Sequence, residues 1–76
     1  MPREGREAKA VRLIAQERVR LLHATRATCR AEVRGDTADY EVRLEGRWSC
    51  TCPAHGECSH QIATRIIYRA VRPALK

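Results

Sequence analysis

The sequence predicts an α+β domain: an N-terminal helix, a β-hairpin, a Cys/His-rich loop and a C-terminal helix. Three observations lead there. Apolar residues recur at helical spacing near both ends, they alternate with polar ones through the middle, and four Cys and His side chains crowd into eleven residues between the middle and the last segment. With 76 residues the chain is read as one domain spanning 1–76, in which 1–26 form a helical N-terminal extension and 27–72 the core. So short a chain buries too little to be firmly stable alone. Phenylalanine is absent and aromatics make up 4% of the residues, so an additional staple is expected.

Between residues 3 and 18, Ala8, Val11, Ile14, Ala15 and then Val19 follow i, i+3, i+4, i+7 spacing, which predicts an amphipathic helix with a basic opposite face. Around Val19-Arg20-Leu21-Leu22 the pattern suits either a continued helix or a short strand. Two runs of period-two alternation then predict a hairpin: Cys29, Ala31 and Val33 on one arm, Tyr40, Val42 and Leu44 on the other, joined by the turn residues Gly35-Asp36-Thr37-Ala38-Asp39. Setting Gly35 opposite Tyr40 pairs Arg34 with Glu41, Glu32 with Arg43 and Arg30 with Glu45 outside, and Val33 with Val42 inside. Cys29 then faces inward, as an inert buried thiol.

Gly46 ends the second strand, and Arg47-Trp48-Ser49 forms a turn or a short third strand, with Trp48 packing in the core beside the loop that follows. Ile62, Ala63, Ile66 and Ala70, flanked by Ile67 and Val71, predict the second helix. Ser59 is placed to cap it and Pro73 to end it near Arg72. Arg65, Arg69 and Arg72 fall on its outer face, with Tyr68 beside them.

The chemistry lies in Cys50-x-Cys52, five intervening residues, and Cys58-x-His60. Three thiolates and one imidazole are the donor set of a closed four-coordinate zinc site, and Pro53-Ala54-His55-Gly56-Glu57 reads as a tight loop folding the two pairs onto one ion. One structural Zn2+ per chain is expected, held by Cys50, Cys52, Cys58 and His60. His55 is the alternative fourth ligand, and disulfides involving Cys29 or Cys58 are the alternative use of the thiols. A disulfide needs an oxidising compartment, whereas the N-terminus lacks a signal-peptide core and no run is long enough to span a membrane. An intracellular location, in cytoplasm, nucleoid or nucleus, is therefore expected, without secretion or membrane association.

Net charge is +6, distributed as +5 over residues 1–30, −3 over 31–46 and +4 over 47–76. Three thiolates against a dication lower it by only one. All the basic residues but Lys9 and Lys76 are arginine, which suits bidentate contact with phosphate and an anionic partner. Arg65, Arg69 and Arg72 form one candidate group and Arg3, Arg6, Lys9 and Arg12 a second. With four protein donors closing the metal shell and no catalytic set around His23 or His55, no enzymatic activity and no small-molecule substrate are expected.

The hairpin with Tyr40-Glu41-Val42, the run Trp48-Ser49-Cys50-Thr51-Cys52-Pro53 and the helix start Cys58-Ser59-His60-Gln61-Ile62 together resemble the SWIM zinc-binding domain over about Thr28 to Val71. The resemblance implies a hairpin, a C-x-C-x(n)-C-x-H site and a helix, with Cys50, Cys52, Cys58 and His60 as ligands. It departs from the family in its short inner gap and in Ser59, where a basic residue is frequent. It implies binding of DNA or of protein. The expected function is a stand-alone zinc module that binds nucleic acid, with DNA the first choice; the alternative is an adaptor docking on a nucleic-acid enzyme or regulator through the acidic hairpin or Leu21-Leu22.

Overall fold

Four antiparallel strands in meander order, β1 to β4, share their inner face with two helices. These coordinates are a computed structural model, and they describe residues 5–35, 38–52 and 58–75. The elements run α1 (Arg6–Ala15), β1 (Val19–Ala24), β2 (Thr28–Arg34), β3 (Asp39–Glu45), β4 (Arg47–Cys50) and α2 (Ser59–Val71), followed by a 3-10 turn at Arg72–Ala74. The α+β class is as predicted, but the sheet has four strands rather than two or three. No helix among the described residues is long and apolar enough to cross a membrane.

The predicted N-terminal helix is shorter than expected, and the extension assigned to 1–26 is helical only in its first half. The amide of Arg18 donates to Leu13 O at 2.9 Å and that of Glu17 to Ile14 O at 3.0 Å, with Glu17 at φ 56°. This is a Schellman cap whose left-handed position carries glutamate instead of glycine. The chain thereby turns into β1, which pairs with β2 from Val19↔Val33 to Ala24↔Cys29 and makes a bulge between Leu21 and His23. The face that α1 buries also differs. Ala10 and Leu13 are fully buried while Val11 is 60% exposed, because Leu13, not Val11, reaches Val33, Val42, Ile62 and Ala63.

In the β2–β3 hairpin the partners are Arg34↔Asp39, Val33↔Tyr40, Glu32↔Glu41, Ala31↔Val42 and Arg30↔Arg43, a register two residues away from the predicted one. A shift of two keeps every side chain on its predicted face, so alternation cannot distinguish the two registers; turn geometry does, through Gly35 N–H donating to Ala38 O at 2.9 Å. The predicted opposite-charge rungs are therefore absent. At Glu32↔Glu41 and Arg30↔Arg43 like charges face one another instead, relieved along the strand by Arg43 Nε to Glu41 Oε1 at 2.5 Å and across the sheet by Arg20 opposite Glu32. Cys29 faces inward and is buried, as expected.

α2 lies along the sheet and touches all four strands, with α1 packed beside it. Its inward stripe is His60, Thr64 and Tyr68 at i, i+4, i+8 with Ile62 and Ala63, so Ile66 is 45% exposed and Ala70 is also exposed, against expectation. A helix that must aim His60 at the sheet cannot also bury Ile66 and Ala70. Tyr68, predicted on the outer face, is buried. Its hydroxyl donates to the carbonyl of Thr25, and its ring meets Trp48 edge to face at 5.8 Å. Trp48 thus packs in the core as predicted. Pro73 ends α2 where expected, opening the 3-10 turn.

Candidate metal centre

Two elements bring the four sequence-predicted donors together. Cys50 is the last residue of β4 and Cys52 follows two residues on; Cys58 is the N-cap of α2 and His60 lies in its first turn. Ser59 is therefore the first helical residue and is buried, so the cap expected of it falls to Cys58, whose carbonyl accepts from Ile62 N–H at 3.0 Å. The ligand atoms of Cys50, Cys52, Cys58 and His60 all lie within 4.8 Å of one another, and the Cys50 sulfur is 3.9 Å from His60 Nδ1. A tetrahedral ion with metal–sulfur bonds near 2.3 Å and metal–nitrogen bonds near 2.0 Å spaces its donors roughly 3.5–3.8 Å apart. The four donors are close enough together that they could hold one metal ion.

Burial sets the chemistry of the thiols. Cys58 and His60 are buried, and Cys50 and Cys52 are half-buried. Desolvation pushes the Cys50 thiol up to about 12, and the neighbouring Cys58 adds to the rise. Cys58 is also raised by burial, with the backbone N–H of Gln61 pulling the other way. Unmetallated, both are thiols at neutral pH, and a cation must displace their protons to bind. No disulfide joins any of the four cysteines of the chain, and Cys29 stands outside the cluster.

His60 meets Tyr40 at its ring and Thr64 at its backbone carbonyl. Tyr40 on β3 places its ring 4.5 Å from the imidazole, centroid to centroid, and Thr64 donates its hydroxyl proton to His60 O at 2.9 Å, tying the first two turns of α2 together. Neither partner was foreseen for this role. Tyr40 was legible only as an inward strand residue. The predicted inner loop, with His55 as alternative ligand, lies outside the described residues.

The structure separates the candidate basic groups. Arg65, Arg69 and Arg72 converge on one surface cleft at the C-terminal end of α2, where Arg26 from the β1–β2 turn joins them. His60 and Arg69 are nine residues apart on α2, about 14 Å along its axis. Arg6, Lys9 and Arg12 lie on α1, where Arg12 donates to Gln16 Oε1 at 3.3 Å; Arg3 lies outside the described residues. Arg26 falls within the predicted helical extension but lies in the turn between β1 and β2. The signal for it was Thr25-x-x-Thr28 between two apolar runs: Thr25 Oγ1 accepts the amides of Ala27 and Thr28 at 3.2 and 3.0 Å and closes the turn.

A scan against protein-family models finds no match, and searches of curated proteins and of solved structures find none either.

Proposed function

We propose that the chain is a SWIM-like module that holds one structural zinc ion and binds nucleic acid, DNA foremost, through its arginine-rich surface. What carries the reading is the position of α2: its N-terminus bears Cys58 and His60 of the metal cluster, and its C-terminal half with the 3-10 turn that follows bears Arg65, Arg69 and Arg72 on one cleft. Three sulfurs and one imidazole favour zinc over harder cations, and four protein donors leave no open position for a reacting water, so the ion acts as a staple and the domain as a binder rather than an enzyme. Guanidinium groups held on a rigid helix suit phosphate contact. The remaining sequence features fit the same reading: a net charge of +6 and an Arg-dominated basic set.

The test is the salt dependence of duplex binding by the zinc-loaded protein. An Arg65→Ala, Arg69→Ala, Arg72→Ala triple variant should keep its zinc and its circular dichroism while the slope of log affinity against log salt falls by up to about 3 units. An unchanged slope removes this face from the reading. The adaptor alternative rests on Leu22, 44% exposed at the bulge of edge strand β1; Leu21, by contrast, is half-buried. Salt-resistant binding to a protein, without any nucleic-acid shift at low salt, would select it.

A further inference from the structure

We propose that the cleft between the β1–β2 turn and the end of α2 is a subsite for single-stranded nucleic acid, with Arg26, Arg69 and Arg72 on the phosphates and a base against Trp48. This rests on the nucleic-acid reading above and narrows it to a strand type and a set of contacts. Arg26, Arg69, Arg72 and Pro73 line a cavity of about 380 Å³. A second cavity, of about 320 Å³, shares the three arginines and adds Arg65 together with the apolar Leu44, Trp48 and Tyr68. Among the described residues, neither lining contains a carboxylate. Gathering like charges with no acid between them is unfavourable until an anion arrives.

The guanidinium groups are also held in place. Arg72 Nε donates to Arg26 O at 3.0 Å and Arg26 Nε donates to Leu75 O at 2.8 Å, so the turn, α2 and the segment after it are laced together through the inner nitrogens. Arg26, Arg69 and Arg72 line the cavity, and a guanidinium carries terminal N–H groups in a fork that matches phosphate oxygens. Apolar walls adjoin this cationic mouth. A phosphodiester needs only the arginines, whereas an unpaired base can also cover Trp48 and Leu44. In a duplex the bases are stacked inside and do not reach an indole; a single strand offers them. One aromatic beside several guanidiniums gives sequence-tolerant stacking rather than base readout.

Trp48 is the only tryptophan of the chain, so its emission reports on the cleft directly. The zinc-loaded 76-residue chain is titrated with a single-stranded oligonucleotide, with the duplex of the same sequence and with a polyglutamate peptide of equal charge. The expected results are quenching of Trp48 emission by the single strand and binding about tenfold tighter than to the duplex, with Arg26→Ala and, separately, Arg69→Ala each weakening it about tenfold at unchanged circular dichroism and zinc content. Arg26→Lys should fall between wild type and Arg26→Ala, because charge is kept and the fork is lost. Binding of oligonucleotide with no change in Trp48 emission and no effect of either Ala variant would overturn the subsite while leaving the broader reading intact. Equal quenching by polyglutamate would overturn it in favour of an acidic protein ligand. Failure of the wild type to bind any nucleic acid at low salt would remove the subsite and the broader reading together.

Discussion

The ring of Tyr40 lies against that of His60, with centroids 4.5 Å apart and planes tilted by 39°, so a residue of the hairpin sets the pose of a candidate metal ligand on the last helix. Gly35 makes room for it. A Cβ at that position would stand 2.8 Å from Tyr40 Cε2 and 2.7 Å from Ala38 O, closer than side-chain carbons come. The hairpin turn, the aromatic ring and the imidazole thus form one packed line from the end of β2 to the start of α2.

Tyr40→Ala should therefore lower metal affinity by about tenfold, the lower end of what supporting residues around a metal contribute, while Tyr40→Phe stays near wild type because only the ring is used. Gly35→Ala should cost about 1–3 kcal/mol, because the added methyl has to displace a carbonyl as well as the ring. Competition with a chromophoric chelator and thermal melting check the two. Equal metal affinity in Tyr40→Ala would mean that Thr64 and the backbone alone hold His60.

Metal and pH act through the same thiols. Without metal, Cys50 is raised from 9.0 to about 12 and Cys58 in the same direction, both chiefly by burial. A thiol raised on folding supports the fold fully below its unfolded value and loses that support as pH climbs towards its folded one, because only the unfolded chain then gains by ionising. The metal-free protein should lose stability between about pH 9 and 12. Metal loading has the opposite sign: protons leave as the ion binds, so apparent affinity rises with pH, by up to about three log units per pH unit while all three thiols are protonated. Chelation at neutral pH should lower the melting temperature by about 20 °C or more, and Cys50→Ser should do the same, whereas Cys29→Ala, outside the cluster, should keep the metal and cost about 1 kcal/mol. Denaturant titrations of chelated protein at pH 7 and pH 10.5, beside elemental analysis of each variant, provide the check.

The donor cluster and the α+β class were legible because both depend on local spacing: C-x-C closes a strand, C-x-H opens a helix, and alternation marks β2 and β3. What was not legible depends on choices that local pattern leaves degenerate. Val11 and Leu13 are both apolar, and only the position of Val33 and Val42 decides which is buried. The hairpin register shifted by two without moving any side chain to the other face. β1 stayed open between helix and strand because its boundary signal is Glu17 in a left-handed conformation, where glycine is the usual marker. Arg26 was missed with it, since a turn between β1 and β2 exists only if β1 does.

Glu17 is the position at which a substitution should improve the fold. At φ 56° a residue with a Cβ pays roughly 1 kcal/mol that glycine does not, and the side chain is exposed. Glu17→Gly removes that cost but adds freedom to the unfolded chain, so the expected net gain is about 0.5 kcal/mol. The converse holds at Gly46, φ 80°, where the space around a Cβ is open and the backbone conformation alone objects. Gly46→Ala should cost about 1 kcal/mol. Melting temperatures should move in opposite directions, and a drop in Glu17→Gly would show that the glutamate has a stabilising partner outweighing its strain.

Tyr68 tests how the two ends of α2 are joined. Its hydroxyl donates to Thr25 O, in the turn that carries Arg26, while its ring packs on Trp48, so the hydroxyl and the ring serve different neighbours. Tyr68→Phe keeps the ring and deletes the hydrogen bond, which is worth about 1 kcal/mol, or roughly 4–8 °C in melting temperature for a domain of this size. The loss falls on the β1–β2 turn, two helical turns from His60, so metal content and chelator competition should stay at wild-type values. Amide hydrogen exchange should quicken at Thr25, whose own N–H donates to Thr28 O at 2.8 Å and closes the turn, and not at Ile62. A lowered metal affinity in Tyr68→Phe would instead mean that the sheet end of the helix and the metal end move as one rigid unit, with the turn contributing to the metal centre from the far side of the domain.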